Sequence, residues 1–149
     1  MIENVLGAAF VLAQARLTAV ASEAIEIAKE LGPLAQALPF ALPKVSRDSL
    51  LAFGAPMKGH TVTAVTAIDA VANYFKHRDE WSNWTPNKKN QATITTISAI
   101  GLLPTSTGNL RAAAKVLGWP DAAPADLSWM EGAIDEWATA VLVAIKKAI

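Results

Sequence analysis

The run Asn73-Tyr74-Phe75-Lys76-His77-Arg78-Asp79-Glu80-Trp81 gathers an imidazole, an ammonium, a guanidinium, two carboxylates, an amide and three aromatic rings in one short stretch. His77 is the side chain best suited to moving a proton near neutral pH, and Lys76 and Arg78 flank it with the fixed positive charge that stabilises a developing phosphate anion. That set suits metal-independent cleavage of RNA, in which the 2′-hydroxyl needs a base and the phosphorane needs cations. Lys76, His77 and Arg78 are therefore the candidate catalytic residues. Asn73, Tyr74, Glu80, Trp81 and Trp84 are candidate binding residues, joined by Lys88 and Lys89, which with Trp84 could hold single-stranded nucleic acid by charge and stacking. The plainer alternative is a solvated, internally paired helix end, with Trp81 and Trp84 covering apolar surface beneath a loop.

These residues need a helix to position them, and the sequence supplies one from Thr61 to Trp81, with Ala64, Val65, Ile68, Val71, Ala72 and Phe75 on one face. Asp69, Asn73, Lys76 and Glu80 then share a polar stripe, and Tyr74, Arg78 and Trp81 a third face. The spacing predicts Lys76 pairing with Glu80, Arg78 stacking on Tyr74, and Asn73 reaching His77. Asp69 is open between a buried acceptor, a salt-bridge partner and a site residue. His60, directly after Gly59, reads as a cap or a surface group.

The rest of the chain is also helical in pattern. Apolar residues recur at three and four from Ile2 through Phe10, Leu17 and Ala24 to Leu31, an amphipathic helix about 45 Å long that Gly32-Pro33 should stop. Residues 32–60 are broken by Pro33, Pro39, Pro43 and Pro56 and leave room for one short helix, Ser46 to Phe53, with Ser46 as its N-cap. A polar loop, Ser82 to Asn87, follows the central helix. Asn90 should cap a helix to about Leu102, ended by Gly101 and Pro104, although Thr93 to Ile97 would also suit a strand. Asn109 to Leu117 is a short helix closed by Gly118, and Asp126 should cap a last one with its stripe at Leu127, Met130, Ile134, Trp137, Val141 and Ile145. The expected fold is all-α, a helical bundle of four to five main helices in one domain over residues 1–149.

Composition narrows the chemistry. With no Cys and two His in 149 residues, disulfide scaffolds and Cys-based zinc sites are excluded and no metal or cofactor is called for. There is no glycine-rich phosphate loop and no serine elbow, and Asp135 and Glu136 are neighbours on an acidic helix rather than a facing pair. Charges balance at 13 and 13, with 52% apolar residues, but they segregate. Residues 81–120 hold Lys88, Lys89, Arg111 and Lys115 and no acid, whereas residues 121–136 hold five acids and no base. Such blocks can pair within the chain or between two copies.

A secretory signal is not expected, because the residues ahead of the apolar run hold Glu3 and no Lys or Arg, and the last helix lacks the roughly 20 apolar residues of a span. The expected location is cytoplasmic, without membrane contact.

The Asn73 to Trp81 block, a following loop, a Thr/Ile-rich helix and the Asn109-Leu110-Arg111-Ala112-Ala113-Ala114 helix together resemble uncharacterised bacterial helical proteins related to the HEPN superfamily, over about residues 61–118. The resemblance implies a helical bundle, frequent dimers, and a kinship with metal-independent ribonucleases of toxin–antitoxin and phage-defence systems. The superfamily's catalytic signature, an Arg followed four to six residues later by a His, is absent: His77 directly precedes Arg78. The expected function is accordingly a helical module acting through protein–protein association, as a dimer or with another protein. A divergent ribonuclease or RNA-binding effector is the alternative.

Overall fold

The computed structural model describes residues 2–41, 43–81, 84–104, 107–120 and 126–149, so Ser82 and Asn83 of the expected loop and Asp121 of the acidic block lie outside the described residues. Among the described residues there are six α-helices and no strand: α1 (Ile2–Leu31), α2 (Arg47–Leu51), α3 (Ala64–His77), α4 (Gln91–Ala99), α5 (Asn109–Val116) and α6 (Ser128–Lys147). The all-α bundle with its long first helix is thus observed. The Thr93 to Ile97 stretch is helical, with Ile94 and Ile97 facing inward and no neighbouring strand to pair with it.

Local chemistry explains most of the boundaries. Ser46 caps α2 in a capping box with Ser49, each side chain accepting the other's backbone N–H. Thr63 caps α3, and its hydroxyl also donates to Leu51 O at 2.6 Å, tying α2 to α3. Gly101 and Gly118, at φ 84° and 98°, close α4 and α5, and in each case the following residue's N–H folds back on the helix, Leu102 to Ile97 O and Trp119 to Ala114 O. Three expectations are corrected. Gly32-Pro33 does not stop the first helix abruptly; Gly32–Ala37 continues as a 3-10 helix, since Pro at its start lacks only an N–H that would be unpaired there. Asn90 does not cap α4 with its side chain, which instead accepts from Asn87 N at 2.7 Å and donates to Thr85 O, fastening the loop before it. Asp126 lies one residue ahead of the N-cap Leu127, and from there its carboxylate accepts Ser128 N–H at 2.8 Å.

α1 packs along α3 more extensively than any other pair of helices, and α2, α5 and α6 close around α1. The core runs through Leu6, Phe10 and Leu17 of α1, Ile68 and Val71 of α3, and Ile134 of α6. Close approach of α1 and α3 depends on Gly7: a Cβ there would fall 2.2 Å from Phe75 Cε2. Trp137 anchors α6 by donating its indole N–H to Leu50 O at 2.8 Å.

By length and apolarity, α1 with its 3-10 extension is the one candidate membrane span among the described residues, and 44% of its apolar window is buried inside the protein. A core helix of a bundle meets the same criterion.

Candidate functional site

α3 delivers the chemically dense segment in two parts that face different ways. Its inward polar side meets a glutamine on α1. Gln14, 8% exposed, occupies the apolar stripe between Phe10 and Leu17, so its amide must find partners inside. Its Nε2 donates to Asp69 Oδ1 at 2.6 Å and Asn73 Oδ1 at 2.9 Å, and its Oε1 accepts from Lys76 Nζ at 2.8 Å. Arg47, at the start of α2, closes the other side of Asp69 with both guanidinium nitrogens, Nη1 to Oδ2 at 3.1 Å and Nη2 to Oδ1. Hydrogen bonding to Asp69 is the largest of the influences that hold the Arg47 guanidinium above its ordinary pKa, and burial only partly opposes it. Of the three roles open to Asp69, the structure shows two at once, acceptor and salt-bridge partner.

The second part is the helix end. Because α3 gives way to a 3-10 turn over Arg78–Glu80, residues three apart come into line, and the side-chain pairs differ from those an α-helix would make. Glu80 meets His77, Oε1 to Nδ1 at 3.3 Å, rather than Lys76. Arg78 lies over the Phe75 ring, 4.8 Å from its centroid, and donates to Asn4 Oδ1 rather than stacking on Tyr74. Asn73 turns to Gln14 and Asp69 rather than to His77. His77 stacks on Trp81 with ring centroids 5.9 Å apart.

The three candidate catalytic residues therefore engage separate sets of partners: Lys76 with Gln14, His77 with Glu80 and Trp81, Arg78 with Phe75 and Asn4. Among the candidate binding residues, Tyr74 packs edge-on against Trp84 at 5.7 Å, and its hydroxyl accepts from the buried Asn109 amide at 3.2 Å. Trp84 is buried, at the positive φ of 50° that bulky residues seldom adopt, so its ring serves the packing of the loop and is not presented to a base. Lys88 and Lys89 are exposed at the turn before α4. His60 is a surface group whose Nδ1 lies 3.3 Å from Ala99 O. No group of metal-ligating side chains occurs among the described residues.

Gln14 and Arg47 are the site residues that the motif reading missed. Gln14 carried a signal, a polar residue four after Phe10 and three before Leu17 on a buried stripe; Arg47 carried none, because its partner is 22 residues away. The chain matches no family model, no curated protein and no solved structure.

Proposed function

We propose that this chain is a helical module that acts by protein–protein association, in the first place with a second copy of itself. One observation carries the reading: large apolar side chains stand exposed on the outer faces of the two longest helices, Val5 and Leu12 on α1 and Leu142 and Val143 on α6, with Leu12 at 73% exposure. Groups of such residues on helix faces mark association surfaces, whereas scattered ones do not. The dispersal of Lys76, His77 and Arg78 onto separate partners supports the same reading, since acid–base and electrostatic catalysis need convergent groups. Sedimentation across the micromolar range tests it. A particle of twice the 15.7 kDa chain mass is expected, and a strict monomer throughout overturns the proposal.

A divergent HEPN-like ribonuclease is the second reading, favoured by the Glu80 carboxylate that meets the His77 imidazole. A carboxylate behind a histidine is the arrangement a general base uses. It is tested with structured RNA: cleavage by the wild type that His77→Ala abolishes supports it, and no cleavage by the wild type ends it.

A further inference from the structure

We draw no further inference here: the strongest candidate, the apolar groove of about 440 Å³ between the C-terminal half of α6 and the Pro39 and Phe53 side of the protein, has Lys147 at its rim, where a helix end favours a lysine in any case, and nothing in the structure shows what covers it.

Discussion

Arg47 holds Asp69 by both carboxylate oxygens, across 22 residues of sequence, and so joins the first turn of α2 to the middle of α3. Two parallel N–H···O bonds give this pair direction as well as charge, and Gln14 reaches the same carboxylate from α1 at 2.6 Å. One side chain on α3 is thus the meeting point of three helices.

Removing that meeting point should cost more than removing either donor. Asp69→Ala leaves the Arg47 guanidinium and the Gln14 amide short of an acceptor, and urea unfolding should show a loss of about 2–4 kcal/mol. Arg47→Met removes one arm and keeps an apolar stem on the helix, so a loss of about 1–2 kcal/mol is expected. The Arg47 pKa is raised in the fold, so its share of stability is complete below the unfolded value and disappears only as pH rises through the higher folded one. Across the neutral range the Arg47→Met difference should therefore be flat with pH. Equal losses from the two variants would show that Gln14 draws nothing from Asp69.

Gly7 offers a test of the α1–α3 packing. The Phe75 ring occupies the space of the missing side chain, so Gly7→Ala must push the ring or the helix aside. The expected loss is about 1–3 kcal/mol, lowering Tm by several degrees. Phe75→Leu in the Gly7→Ala background should recover part of the loss, and a double-mutant cycle measures that coupling. Strict additivity would mean the ring is not what fills the space.

Much of this was legible in sequence, for reasons that differ by element. Ser46 and Gly118 mark helix ends because their effect lies in the next few backbone bonds. The stripes of α1 and α6 are legible because periodicity alone says which face is buried. The pairs at the end of α3 were not, because a change from α to 3-10 geometry over Arg78–Glu80 moves Glu80 from Lys76 to His77, and no residue there announces the change. The Gln14–Asp69 bond, 55 residues apart, exists only once α1 has packed on α3, so the sequence shows a misplaced glutamine without its partner.

Asn109 should prove structural. Buried at 3% exposure, it donates to Leu103 O at 2.8 Å and to the Tyr74 hydroxyl at 3.2 Å, fastening the segment before α5 to α3. Asn109→Leu strands the Leu103 carbonyl, and a loss of about 1–3 kcal/mol in urea is expected. Hydrogen exchange should rise first at the start of α5. Unchanged protection there would place the segment's stability elsewhere.

Acid should loosen α6 from its first turn. The Asp126 carboxyl is held below the usual carboxylate range, first by hydrogen bonding from the Ser128 side chain and then from the Ser128 backbone N–H. A carboxyl whose folded pKa is depressed supports the fold above its unfolded pKa, and that support fades as pH falls through the folded value. The Asp126 carboxyl resonance should accordingly titrate below an ordinary Asp, and amide protection at Ser128 should fall over the same interval. Asp126→Asn keeps an oxygen that can accept the Ser128 N–H but cannot titrate, so it should hold the first turn at neutral pH and remove the acid step. If protection at Ser128 in the wild type does not change with pH, the bond from its backbone to Asp126 is not what orders the start of α6.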